Sequence, residues 1–325
     1  MRRPTPKVSG KDLQIDGRLI RVARIDGETY EFLKDPEAAL ADLRRAGVRA
    51  DLFTFTQPLA DTSPKYGYPM EWDNAAALAV SSFDHWWARQ IDFRVRNKVR
   101  KAEKNGVTVR RVAFDEALAR GIWDIYNETP IRQGKRFPHY GKDLETVRRM
   151  SATFPTRSVF LAAFLGDEVI GFAKLVSDED QGQAGLMHIL SMVRHMDKAP
   201  TNALVAEAVR VCAERAIPYL VYSQFSYGKR QRDTLSDFKQ HNGFERIDVP
   251  RYYVPLTLSG QLALRLGLHR RLADQIPEPI FARFRKLRSQ WYERRRRKRR
   301  EARPLETTNG AGRHSYESVS PSDSA

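Results

Sequence analysis

The sequence predicts an α/β (α+β) protein: a mixed sheet flanked by helices, preceded by a smaller N-terminal α/β subdomain and followed by a C-terminal helical extension. Three observations lead there. Apolar, β-prone runs at 158–165, 168–177 and 186–193 are separated by turn formers, with Gly166-Asp167 between the first two. Segments with helical apolar spacing alternate with such runs, most plainly Leu204, Val205, Ala208, Val211 and Cys212. After residue 258 the composition turns strongly basic, and beyond 303 it becomes rich in Ser, Thr and Gly.

Taken in order, residues 13–33 form a hairpin with turns at Asp16-Gly17 and Asp26-Gly27. Asp35-Pro36 opens a helix to Arg45, which Gly47 stops, and 50–56 is a strand. An apolar segment at 75–82 leads into one long helix over 83–105. A strand at 107–113 and a helix at 114–126 precede the loop 127–141, NETPIRQGKRFPHYG, and a helix follows at 144–153. After the hairpin 158–177 come a strand at 186–193, a polar bend at 197–202, a helix at 203–216 and a strand at 219–225. A short helix at 233–241 is closed by Gly243 as its C′ residue before the last strand. The expected domains are 1–90, 91–258, basic amphipathic helices over 259–303, and a disordered tail over 304–325.

Composition bounds the class. The chain has 325 residues, 41% hydrophobic and 30% charged, which is a globular balance. The single cysteine, Cys212, sits on an apolar helix face, so no disulfide framework exists and a reducing, cytoplasmic setting is expected. Met1-Arg2-Arg3-Pro4 is followed by no apolar run of the kind a secretory signal needs, and no run is long enough to span a membrane. The net charge of +16 is uneven: residues 277–303 carry twelve Lys or Arg against three Glu. There Ile280, Phe281, Phe284, Leu287 and Trp291 make an apolar stripe beside arginines, as a helix lying on the anionic inner membrane leaflet requires. Packing on the preceding domain, or RNA binding by the Arg run, would suit the same pattern.

A helix that starts directly after a buried strand offers free N–H groups for phosphate at the strand's end. The bend after 193 is therefore the expected anion site, with Thr201 or Asn202 as N-cap and Lys198 adding charge. His188, within an apolar strand, is either a core histidine or a base able to take a proton near neutral pH. No zinc-site spacing, P-loop or Gly-x-Ser-x-Gly elbow occurs, so metal and hydrolase chemistries are not expected.

The order strand, helix, strand, helix ending in Phe238-Lys239-Gln240-His241-Asn242-Gly243-Phe244-Glu245 resembles the second half of a GNAT acyltransferase domain. The hairpin SVFLAAFLGDEVIGFAKLVS (158–177) resembles the central GNAT hairpin. FRVRNKVRKAEKNGVTV (93–109) resembles the basic helix leading into that domain in the FemAB-like branch. The resemblance covers about residues 91–257. It implies an N-acyltransferase that uses acyl-CoA, such as acetyl-CoA, as co-substrate. The donor would lie between the strands at 186–193 and 219–225, its phosphates near Val193, Lys198, Thr201, Asn202, Ala203 and Leu204, with Phe238 beside it. It implies an acceptor pocket walled by the loop 127–141, where Arg132, Gln133, Arg136, His139 and Tyr140, with Ser223 opposite, would bind a small amine such as an amino sugar or amino acid. His188 would be the base, and Tyr227 or Tyr222 the acid for the leaving thiolate, although Tyr is also an ordinary strand residue. One departure leaves the donor open: residues 194–202, RHMDKAPTN, lack the glycines of the usual GNAT pyrophosphate loop. Aminoacyl-tRNA is the alternative donor. A non-catalytic scaffold with a membrane- or RNA-binding C-terminus is the alternative of another class.

Overall fold

The computed structural model describes residues 7–225 and 234–270, all within the first of the chain's two units, residues 1–281. Tyr227 and the basic segment 277–303 lie outside the described residues. The N-terminal part holds β1 (Lys7–Val8), β2 (Lys11–Asp16), β3 (Val22–Ile25), α1 (Pro36–Arg45), β4 (Leu52–Thr56) and β5 (Met70–Ala79). Asp35 caps α1 by accepting from the Ala38 amide, and Pro36 takes the first helical position, as the Asp-Pro pair predicts.

The segment expected as one helix over 83–105 is three pieces. A turn of α2 (Phe83–His85) and a π-helical turn (Trp86–Gln90) end at Ile91, which is extended, and α3 (Phe93–Lys104) begins anew. The break follows from Asp92, whose carboxylate accepts from the Val95 amide at 3.0 Å and caps a second helix. After α3 come β6 (Val107–Val112), α4 (Glu116–Asn127), a two-rung hairpin of β7 (Ile131–Arg132) and β8 (Lys135–Arg136), and α5 (Leu144–Ser151). The loop expected over 127–141 thus contains a hairpin, with Gln133 at φ 48° and Gly134 at φ 70° turning it. Then follow β9 (Ser158–Leu165), β10 (Glu168–Ser177), β11 (Ala184–Ser191), a 3₁₀ turn (Val193–Lys198), α6 (Pro200–Glu214), β12 (Tyr219–Val221), α7 (Thr234–His241), β13 (Glu245–Pro255) and α8 (Leu258–Arg265).

All strands but β7 and β8 join one sheet in the order β1-β2-β3-β4-β13-β5-β12-β11-β10-β9-β6. It is mixed, parallel at β3/β4 and β11/β12 and antiparallel elsewhere. The last long strand, β13, lies between β4 and β5, so residues 1–90 and the later part share one sheet. Strands β9 and β10 read as continuous apolar runs because both their faces are covered. Phe160, Ala162 and Phe172 meet α4 and α5 through Leu118, Ile122, Ile125 and Val147. Leu161, Ala163 and Ala173 face α3 and α6 through Val95, Val99, Leu204 and Ala208. Burying each such Leu, Val or Ile contributes about 1.5–3 kcal/mol, which holds the helices on both faces. A separate core under α1 gathers Leu40, Leu43, Phe53, Phe55 and Tyr252.

Candidate active site

The parallel pair β11/β12 is short. It makes register contacts only at Ala184↔Leu220 and Gly185↔Val221. Beyond Val221 the chain leans to β5: the Tyr222 amide donates to Ala76 O at 2.7 Å, and Ser223 O accepts from the Ala76 amide. Strand β11 runs on to Ser191, paired with β10 on its other edge. From Leu186 onward its β12-facing edge therefore has no strand partner among the described residues. The β10/β11 register also shifts, Lys174 opposing His188 while Leu175 opposes Leu186, so Met187 is an extra residue in β11. Such a bulge re-aims the neighbouring side chain.

His188 points to the α4/α5 side. Its ring centroid lies 6.2 Å from that of Phe172 and 6.1 Å from that of His139. His139 in turn stacks at 4.5 Å on Tyr126, and its Nδ1 lies 3.2 Å from Lys142 Nζ. An ammonium can only donate, so Nδ1 accepts and His139 is the neutral Nε2–H tautomer. Burial lowers the His139 pKa, and the Lys142 charge lowers it further. His188 is pushed down to about 4, first by burial, then by the cost of protonating it beside the His139 ring, and then by the charges of Lys174 and Lys142. Burial raises the Tyr126 hydroxyl, which stays protonated. Lys174, fully buried, is pushed down to about 8 by desolvation. Its ammonium donates to Ser151 O at 2.8 Å, Thr153 O at 2.5 Å and Thr153 Oγ1 at 2.8 Å, contacts that favour the charged form against that push. The result at neutral pH is an uncharged imidazole in an aromatic pocket beside an open strand edge.

A carboxylate of the chain itself holds the amides at the end of β11. Glu128 Oε2 accepts from the Val193 amide at 2.6 Å, and Oε1 accepts from the Arg194 amide at 2.9 Å. Arg132 backs it: Nη2 lies 3.3 Å from Glu128 and donates to Ile125 O at 2.6 Å, while Nη1 donates to Ser191 O at 2.7 Å. Both side chains are nearly buried, 11% and 13% exposed. Arg132, expected to bind an oxyanion of the acceptor, spends Nη1 and Nη2 on these internal acceptors and has the Phe137 ring 4.7 Å away, while its buried Nε has no partner.

The start of α6 also departs from expectation. Its N-cap is Ala199, in the left-handed region at φ 56°, with Pro200 at the first helical position and no side-chain cap. Thr201 instead shares a hydrogen bond with Ser191 Oγ at 2.9 Å, and Asn202 is buried with its Nδ2 donating to Asn242 Oδ1 at 3.3 Å. Pro200 has no N–H, and the Asn202 amide already donates to Ala199 O, so this helix end offers fewer donors than the sequence suggests. Lys198 lies 3.5 Å from Asp197, which offsets its charge. Ala203 and Leu204 are core residues, while Val193 is exposed.

Other expected site residues fall elsewhere. Gln133, Arg136 and Tyr140 are solvent-exposed; of the loop candidates only His139 meets His188. Tyr222 packs against Phe238 and Phe244 on the α6/α7 side, so the sheet separates it from His188. Ser223 is exposed with φ 52°. The sequence reading missed Tyr126, Glu128, Lys142 and Lys174. Glu128 and Arg132 carried a signal in their acid-then-base i, i+4 spacing; Lys174 carried one as a lone charge inside an apolar strand. Among the described residues no group of His, Cys, Asp or Glu is placed to hold a metal, and no helix is long and apolar enough to cross a membrane.

No family model and no curated protein sequence matches the chain. Solved structures match its backbone. L-PGS from Bacillus licheniformis aligns with a TM-score of 0.54 at 14% identity, over 82% of this chain and 89% of that one. The C-terminal DUF2156 domain described as that of a lysylphosphatidylglycerol synthetase from Agrobacterium fabrum gives 0.51 at 15%, over 78% and 83%. FemX gives 0.50 at 11%, over 78% and 86%. The fold is the GNAT fold. At these identities the likeness concerns the backbone, and the expected fold class holds.

Proposed function

We propose that this protein is an N-acyltransferase that moves an acyl or aminoacyl group from an activated donor to the amine of a small acceptor. The observation that carries this reading is the parting of β11 from β12 after two register pairs, with the bulge at Met187 setting neutral His188 beside the opening. Backbone groups on the unpaired edge along 186–190 suit a donor lying as an added strand, and N–H groups there can polarise its carbonyl. The acceptor nitrogen attacks that carbonyl, the N–C bond forms, and the bond from carbon to the leaving sulfur or oxygen breaks. The proton lost by the nitrogen passes through His188, whose depressed pKa keeps it unprotonated at pH 7, and ends on the leaving group.

The donor is an acyl-CoA, with an aminoacyl ester carried on RNA as the alternative. Glu128 already accepts from the Val193 and Arg194 amides, so those two are not free to hold a donor's phosphates. The test is transfer by the full chain from a panel of acyl-CoAs and of aminoacyl-tRNAs to a panel of amines. His188→Gln is expected to slow transfer about 100-fold with unchanged donor affinity. Absence of transfer from both donor classes, or full turnover by the His188→Gln protein, overturns the proposal.

A further inference from the structure

A cavity of about 180 Å³ opens where the loop joining β10 to β11 meets the N-terminal part of the sheet. Phe32, Phe55 and Tyr66 give it an aromatic wall, the rings of Phe55 and Tyr66 meeting edge to face at 5.6 Å. Of the charged side chains that line it, all but one are paired. Lys34 meets Asp180 at 3.0 Å, Lys65 meets Asp61 at 2.5 Å, and Glu179 meets Lys11 at 2.6 Å. The remaining one is Asp178, only 7% exposed. Among the described residues no cation lies within ion-pair distance of it; Arg157 acts on it from farther off and is itself paired with Glu31. Burial pushes the Asp178 carboxyl above the usual carboxylate range.

Asp178 also has a local role. Its Oδ1 accepts from the Gln183 amide at 3.3 Å while its own amide donates to Gln183 O at 3.0 Å, which closes the loop. That role needs an acceptor but no charge: an asparagine would fill it without burying an unpaired carboxylate. The charge calls for a cation from outside the chain. We infer that the cavity is a binding site for a small organic monoammonium ion, its nitrogen on Asp178 and its apolar body against Phe32, Phe55 and Tyr66. Aromatic faces attract an ammonium and shelter the hydrocarbon attached to it. A ligand carboxylate would find Lys34 and Lys65 already matched, so a zwitterion fits less well. A metal ion fits less well too, since no group of acids among the described residues is placed to hold one. The volume is below the roughly 300–1,000 Å³ of pockets for drug-sized molecules, so the ligand is small. The site is separate from the His188 pocket: from Gln183 to His188 an extended strand covers roughly 15 Å. Gln183 ties the same loop to the N-terminal part, Oε1 accepting from the Leu59 amide at 3.0 Å and Nε2 donating to Thr29 O at 3.2 Å. A bound amine would therefore bridge segments that already hold the leading end of β11, and its binding does not depend on the proposed transfer reaction.

The test titrates the full chain by calorimetry at neutral pH with three probes. These are 2-phenylethylamine, 2-phenylethanol, which has the same shape without the charge, and phenylalanine, which adds a carboxylate. The amine is expected to bind about tenfold or more tightly than either of the others. Asp178→Asn keeps an acceptor for the Gln183 amide and is expected to erase the preference for the amine over the alcohol. Tyr66→Leu, at a half-buried wall position, is expected to weaken the amine about tenfold. His188→Gln is expected to bind the amine as the wild type does. Equal affinity of the wild type for amine and alcohol overturns the inference, as does an unchanged preference in Asp178→Asn. Binding lost in His188→Gln and kept in Asp178→Asn would put the amine in the reaction pocket and overturn it as well. If Asp178→Asn does not fold, the wild-type comparison and Tyr66→Leu decide, and unchanged amine affinity in Tyr66→Leu counts against the site.

Discussion

Replacing Glu128 tests the anchor at the end of β11. In the Glu128→Ala protein the Val193 and Arg194 amides lose a charged acceptor at 2.6 and 2.9 Å, and the nearly buried Arg132 guanidinium loses its counter-charge. A hydrogen bond to a charged group contributes about 1.5–3 kcal/mol, and breaking a buried ion pair costs about 3–5 kcal/mol. Arg132 keeps Ser191 O and Ile125 O, and the two amides can reach water, so the expected loss is near the lower bound, about 3 kcal/mol. For a domain of this size that lowers the Tm by roughly 6–12 °C. Glu128→Gln keeps one acceptor oxygen and should lose about half as much. Thermal melts at pH 7 followed by far-UV circular dichroism read both. A further outcome is specific to the geometry: the vacated amides and Arg132 form an anion site, so millimolar pyrophosphate should raise the Tm of the Glu128→Ala protein more than that of the wild type. A Glu128→Ala protein melting within about 2 °C of wild type, or an equal response to pyrophosphate in both, would refute the reasoning.

With His188 pushed down to about 4, its unprotonated form is present throughout the range above that value, so the acid limb of the pH–rate profile should fall near pH 4; a limb near 6.5 would place proton transfer elsewhere. Lys174 has a folded-state pKa lowered from 10.5 to about 8, so the unfolded chain binds more protons between those values and stability should rise with pH there. The urea stability of wild type relative to Lys174→Met should therefore increase by about 1–3 kcal/mol from pH 8 to pH 10, and parallel curves would show the burial to be well compensated. Gly260 lies where α8 touches the Asp51 carbonyl, which an added Cβ would meet at 1.9 Å. Gly260→Ala should cost about 1–3 kcal/mol by pushing α8 off β4, and an unchanged urea midpoint would contradict that packing.

Much of the local structure was legible in the amino-acid sequence because its causes are local. Asp35-Pro36 starts α1, Gly166-Asp167 turns β9 into β10, and Gly243 (φ 86°) ends α7. The apolar run holding His188 is a strand, and the element order over 91–257 is that of the GNAT fold. Only the tertiary structure decided what those elements meet. The placing of β13 between β4 and β5 and the end of β12 at Val221 depend on pairings between residues far apart in the chain. The same holds for the site. Glu128 closes on Val193 and Arg194 across more than sixty residues, and Arg132 lies against that contact. Lys174 becomes His188's cross-strand neighbour through a bulge that no periodicity announces, and the sheet puts Tyr222 on the opposite face. Side-chain spacing and turn chemistry act over a few residues and can be read along the chain. Hydrogen-bond partners and desolvation are set by whichever distant groups the fold brings within about 3 Å, and those exist only once the sheet has closed.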